Sequence, residues 1–297
     1  LDFSEYISLI REDIGCTQSE LLDLLQNYSS SFEKLDLTTL SRWERGVTKP
    51  KTSKQILVCR ALGQSIIPLI QLDSMSKDNS FNSLNKMTNR ILNPYSHHEG
   101  HYHIEQYESF DSDNQYYASL NAFHQLFLGL EWFDIQDLFI KFKLNLSLVV
   151  DQSDYLMGHI LYGLNDCGLS NEEYSMNNIY NMDFYPKSEL TNSKKLLNVI
   201  TIFSTHPLTR ILVILELIKI IVENPNITHV VLTMQNEPMY EFFYRHIEHD
   251  VIHKSELSQF DGVELFGKKY RFIQIMISAE ELLSNSFISQ WILDIGY

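Results

Sequence analysis

The stretch from 196 to 235 constrains the fold more than any other part of this chain. It reads LLNVITIFS, then an apolar run at 209–223, then THVVLTMQ. The outer segments are short, rich in β-branched residues and bounded by polar ones, which is the pattern of buried strands. The run between them holds about four helical turns. A strand, an apolar helix and a second strand in that order require a layer of helix against sheet. LNLSLVV and MGHILYGLN, joined around DQSD, predict a strand pair upstream, and YRFIQIMIS predicts a strand downstream. YYASLNAFHQLFLGLEWF at 116–133 has helical spacing. From about residue 115 onward the chain is therefore expected to form a mixed α/β domain.

The first part has a different character. FSEYISLIREDIG spaces Phe3, Tyr6, Ile7, Ile10 and Ile14 for a helix that Gly15 stops. Thr17, with Glu20 three residues on, forms a capping box that starts a second helix. Asp36 is placed to cap a third helix through LTTLSRWER, ended by Gly46. TSKQILVCRALG gives a fourth, and residues 66–72 add apolar positions for a fifth. The expected domains are an all-α head at 1–72, a polar linker at 73–100 and an α/β body at 101–297. Within the linker, Phe81, Leu84, Thr88, Ile91 and Leu92 share one helical face, so part of it is expected to be helical.

Charge divides the same way. The net charge is −15, yet residues 1–72 hold eight Lys and Arg against nine Asp and Glu. Residues 40–60 concentrate Arg42, Arg45, Lys49, Lys51, Lys54 and Arg60 against Glu44 alone. An acidic body argues against a surface that grips nucleic acid or anionic membrane throughout, and leaves one local basic face. ILVIL at 211–215 is followed by Glu216 and Lys219, far short of the roughly 20 apolar residues a bilayer demands. No signal peptide, spanning helix or membrane partner is expected, although the chain opens on Leu1 and a few native residues are expected to be missing. Cys16, Cys59 and Cys167 form no CxxC pair, which fits a reducing cytoplasm. His97, His98, His101 and His103 crowd HHEGHYH without cysteine or helical spacing, so they read as a titrating surface segment and no metal is expected.

Helix 37–45 has an inward pair, Leu40 and Trp43, which leaves Thr38, Thr39, Ser41 and Arg42 outside to meet base edges. Gln18 at a helix start suits a phosphate, and Lys49 and Lys51 suit nonspecific backbone attraction. Glu44 and Arg45 read as pairing within the domain. The alternative is an ordinary helix end with a solvated basic face. TQSELLDLL, TTLSRWERGVTKP and ILVCRALG, in that order, resemble the helix-turn-helix of the Cro/repressor, or XRE, family. About eight additional residues around NYSSSFEK separate its second and third helices. The resemblance implies sequence-specific binding of double-stranded DNA, commonly as a homodimer.

Residues 199–253 are similar to the central part of the GNAT acyltransferase superfamily in the order of their elements. That resemblance implies a strand-to-helix turn whose glycines cradle the diphosphate of acyl-coenzyme A, and a tyrosine, Tyr244 within one residue, that protonates the leaving thiolate. Here the turn reads HPLTRILVIL without glycine, and Ile211, Leu212 and Val213 are expected to narrow it. Spacing fixes no general base: Glu216 lies in the long helix and His206 in the turn. Beside Phe242 and Phe243, Tyr244 also reads as a core aromatic.

The sequence thus leads to a cytoplasmic, bacterial transcription regulator with a GNAT-like body, no catalytic residue and no cofactor. That body would dimerise, sense a small-molecule ligand or contact a protein partner. Two alternatives stand beside it: an active N-acyltransferase carrying a DNA-targeting head, and an antitoxin-like interaction protein.

Overall fold

The structure, a computed structural model, describes residues 2–73, 101–186, 193–259 and 262–294. The segment expected as a linker helix, with Phe81 through Leu92, lies outside them. The chain divides into two units. One gathers the N-terminal helices together with the chain from Glu280 onward, and the other ends at Ala279. Residues 280–297 are expected from the sequence to belong to the body. They join the helical unit because the last helix lies against the fifth.

In the helical unit, α1 (Phe3–Ile14) starts with a capping box between Asp2 and Glu5 and ends at Gly15, whose φ of 72° is open to glycine. The expected box between Thr17 and Glu20 opens α2 (Gln18–Tyr28). The additional residues after it form one 3-10 turn, Ser30–Phe32, whose Phe32 is fully buried. Asp36 accepts from the Thr39 N–H and begins α3 (Leu37–Glu44). Then follow α4 (Thr52–Ala61) and α5 (Ile67–Asp73). Leu21, Leu25, Leu40, Ile56, Val58 and Ile70 form the core, with Trp43 at its edge. Burial pushes the Cys59 thiol up to about 12, so this cysteine fills space and is chemically inert.

The second unit is built on a seven-stranded mixed sheet in the order β1-β2-β3-β4-β5-β9-β6. Its strands are β1 (Tyr102–Tyr107), β2 (Leu144–Asp151), β3 (Leu156–Asp166), β4 (Lys195–Ser204), β5 (Ile227–Met234), β6 (Asp250–Lys254) and β9 (Ile273–Ser278). A separate hairpin joins β7 (Val263–Leu265) to β8 (Lys268–Tyr270). Every neighbouring pair in the sheet is antiparallel except β4 and β5. That parallel pair needs a crossover, and the apolar helix predicted at 209–223 supplies it as α8 (Pro207–Glu223). α8 packs on β2, β3 and β4. α6 (Tyr117–Ala122), a following π turn and α7 (Ile135–Lys141) contribute to the main apolar cluster with β2 and β3. α9 (Glu237–His246) follows β5. The chain ends in α10 (Ala279–Ser284) and α11 (Ser286–Asp294). Among the described residues no helix is long and apolar enough to cross a membrane.

Candidate functional site

The parallel strands begin together and then part. β4 pairs with β5 from Lys195↔Ile227 to Val199↔Leu232 and no further. Beyond that point β4 stays with β3 as far as Gly158↔Ser204. β5 stays with β9 as far as Met234↔Ile273. The cause lies in β4: Leu161 faces Thr201 and Tyr162 faces Val199, which leaves Ile200 as an extra residue. Such a bulge bends and twists its strand. From Ile200 to Ser204, the edge of β4 toward β5 therefore has no ladder partner. Crevices outside the carboxyl ends of parallel strands are where open α/β sheets bind ligands.

A buried polar seam lines this end of the sheet. The helix that begins as α6 widens into a π turn, Phe123–Phe127, marked by the Leu128 N–H donating to the Phe123 carbonyl at 3.1 Å. His124 in that turn is fully buried and stacks on Phe133, with centroids 3.8 Å apart and planes 4° apart. Its Nδ1 lies 2.7 Å from the Leu120 carbonyl and its Nε2 2.9 Å from Thr201 Oγ1. His159 Nε2 lies 3.2 Å from the same hydroxyl. Burial holds His124 down at about 3 and His159 well below the ordinary imidazole range. Both rings are therefore neutral, and the tautomers follow. His124 donates from Nδ1 to the carbonyl, Thr201 donates to His124 Nε2, and His159 Nε2–H donates to Thr201. On β5, Thr233 bonds the Val199 carbonyl and receives the Gln274 amide.

Just past the end of β5 comes Gln235, 3% exposed, whose amide nitrogen and oxygen have no hydrogen-bond partner among the described residues. Gln235 is among the residues that line a cavity of about 460 Å³, with walls that include Leu126, Phe127 and Leu257. Arg271 reaches the same cavity from the loop before β9. Gly129 fixes where that guanidinium sits: a Cβ at 129 would fall 1.9 Å from Arg271 Nη1. Gly129 also has φ +71°, where L side chains are strained. Gly129→Ala is expected to displace Arg271 and lower stability by about 1–2 kcal/mol in a denaturant titration.

The turn from β4 to α8 departs from the expected shape. Pro207 occupies the first helical position, so Ile211, Leu212 and Val213 lie inside the helix and do not narrow the turn. The Ser204 and Thr209 hydroxyls bond each other at 2.6 Å, and the Thr205 N–H donates to Met157. Pro207 has no N–H, which leaves those of Leu208 and Thr209 at the helix start. These residues do not fit a glycine-type diphosphate cradle. Glu216 faces the sheet and accepts from Gln106 at 2.6 Å. His206 is the N-cap residue of α8. Tyr244 is 68% exposed, far from a core aromatic, and lines a different cavity with Tyr240 and Phe266.

The residues expected at DNA lie elsewhere, in the helical unit. Gln18 donates to Glu44 in place of a phosphate, and Glu44 also pairs with Arg11 at 2.6 Å. Arg45, expected to pair within the domain, donates to the Ser41 carbonyl. Thr38, Arg42, Lys49 and Lys51 are exposed, and Thr39 and Ser41 half-buried. Arg60, counted with the basic face, is buried against Glu280 at 3.1 Å. His103 pairs with Glu105, His97 and His98 lie outside the described residues, and no group among those described is arranged to hold a metal ion. The seam of His124, His159, Thr201 and Gln235 was not singled out in the sequence. Isolated polar residues within or beside apolar segments were its only signal.

No family model and no curated protein matches the chain. Solved structures similar to it include the AHL synthase LasI, at 10% identity over 63% of this chain and 95% of that one, with a TM-score of 0.37. A second is FeeM, an N-acyl amino acid synthase from uncultured soil microbes, at 12% identity over 64% and 99%, with a TM-score of 0.38. A third is TofI in an apo form, at 11% identity over 62% and 95%, with a TM-score of 0.34. At these scores the likeness assigns no activity to this chain. The sequence-based expectation of a DNA-binding transcription regulator is nonetheless corrected. No family model, helix-turn-helix or other, matches the chain, and Gln18, the residue expected at a phosphate, is held by the Glu44 carboxylate.

Proposed function

We propose that the second unit is an acyltransferase, moving an acyl group from an extended thioester to an amine. The observation that carries this reading is the parting of β4 from β5 beside the Gln235 cavity. The unladdered edge of β4 presents alternating N–H and C=O groups. An amide-bearing thioester arm adds to such an edge as a further strand. Its carbonyl then lies against fixed backbone donors, which stabilise the charge that develops on oxygen as an amine attacks. The amine nitrogen bonds to the acyl carbon, the carbon–sulfur bond breaks, and the thiolate leaves with the proton that the amine gives up. His124 and His159, held neutral, are not imidazolium acids at ordinary pH, and their single ring N–H groups are committed to the Leu120 carbonyl and Thr201. Their part is to fix Thr201 at the bulge.

The test is thiol release from acyl-coenzyme A and from the matching acyl-pantetheine, with a mixture of primary amines and amino acids as acceptors and amide products read by mass spectrometry. Release that depends on the acceptor is expected. Because the turn offers no diphosphate cradle, the two donors are expected to differ by less than about tenfold in kcat/KM. Absence of acceptor-dependent release from both donors contradicts the proposal.

A further inference from the structure

We propose that the cavity shared by Gln235 and Arg271 is a subsite for an α-amino acid, its carboxylate on the Arg271 guanidinium and its amine on the Gln235 oxygen. That the bound amino acid is the acyl acceptor rests on the acyltransferase reading; that it binds does not. Three features of the cavity select this chemistry.

First, Gln235 is buried with both amide atoms unpartnered. An orphaned donor and acceptor of this kind cost about 1–3 kcal/mol each when nothing meets them. A ligand that offers a donor and an acceptor side by side relieves both, as an ammonium or amine beside a carboxylate does. Second, Arg271 is the one charged residue among those described that line this cavity, and it forms no ion pair or side-chain hydrogen bond. In a chain of net charge −15, a cation whose cavity has no carboxylate among its described lining residues selects an anion. Guanidinium matches the carboxylate fork in particular. Gly129 keeps it there, since any side chain at 129 would occupy its place. Arg271 also lines a second cavity, whose lining already includes Glu131 and Glu256, so a ligand carboxylate is favoured in the Gln235 cavity. Third, Leu126, Phe127 and Leu257 are exposed apolar groups at the cavity wall, 80%, 49% and 62% accessible. They give an amino-acid side chain an apolar surface to cover. An amine without a carboxylate has nothing to offer Arg271, and a cationic one is repelled.

The experiment uses the full chain without any acyl donor. Each of the twenty common L-α-amino acids is added alone and the melting temperature recorded. For those that raise it, affinity is measured by calorimetry beside the decarboxylated amine of the same side chain. At least one amino acid is expected to bind, and its amine to bind at least about tenfold more weakly. Arg271→Met is expected to abolish the melting shift while leaving the unliganded melting temperature unchanged, because the Arg271 side chain holds no ion pair or hydrogen bond among the described residues. Gln235→Leu is expected to raise the unliganded melting temperature and to weaken binding. No shift with any amino acid overturns the proposal, as does equal binding of the amine or an undiminished shift in Arg271→Met. Binding without transfer from either thioester retires the acyltransferase reading and leaves the subsite. Transfer to neutral amines that is indifferent to Arg271→Met does the reverse.

Discussion

Glu280→Ala is expected to cost the helical unit about 3–5 kcal/mol, the loss that follows when one partner of a buried ion pair is removed and the other stays behind. Arg60 and Glu280 approach to 3.1 Å with side chains only 3% and 9% exposed. Burial lowers the Arg60 guanidinium from its usual range, and Glu280 and then Tyr28 draw it back. Arg60 lies on α4 and Glu280 opens the C-terminal stretch, so this pair closes a unit made from both ends of the chain. A companion variant separates attraction from desolvation. With Arg60→Met and Glu280→Leu together no charge is stranded, and stability is expected to return to within about 1 kcal/mol of the parent or to exceed it. Urea titrations of the three proteins decide the matter, and a single variant losing less than about 1 kcal/mol contradicts the account.

The second large effect is acid sensitivity. His124 and His159 have folded-state pKa values below the ordinary 6.5, the first at about 3, because burial opposes the charged ring. The unfolded chain takes up these protons near pH 6.5 and the native one does not. The stability they contribute is thus complete above pH 6.5 and is lost as pH falls toward the folded-state values. Each histidine gives a slope of about 1.4 kcal/mol per pH unit in that window. Between pH 6 and pH 5 the urea midpoint should therefore drop steeply. His159→Gln, which keeps a donor for Thr201, is expected to remove roughly half of that slope. A midpoint unchanged between pH 7 and pH 5 would show that these rings are not held neutral.

Much of the architecture was legible in the sequence because its signals are local. Thr17 with Glu20, Asp36 and Gly15 mark helix ends through bonds made within four residues. The buried strands β2, β3, β4, β5 and β9 announce themselves through β-branched apolar runs. Edge strands do not. β1 mixes half-buried and exposed residues through YHIEQY without an apolar run, and its one histidine, His103, belongs by sequence to the HHEGHYH cluster. β6 sits at the opposite edge, where only one ladder needs satisfying. The same limit explains the misplaced basic residue. Arg60 belongs to a run of cations by sequence, and only the return of Glu280, 220 positions later, takes it out of solvent. The candidate site was hidden for a related reason. His124, His159, Thr201 and Gln235 come from four elements, and nothing in their spacing ties them together. The strand parting rests on Ile200, one apolar residue among many, whose role as a bulge depends on its neighbours in the sheet.

The central claim is that the unpaired edge of β4 receives an extended thioester arm. Amide hydrogen exchange, recorded residue by residue with and without a non-hydrolysable acyl-pantetheine thioether, tests it most directly. The account predicts slowed exchange confined to residues 200–204 and the neighbourhood of Gln235, with the helical unit unaffected. Unchanged exchange along that edge at saturating thioether, or protection centred elsewhere in the chain, would contradict it.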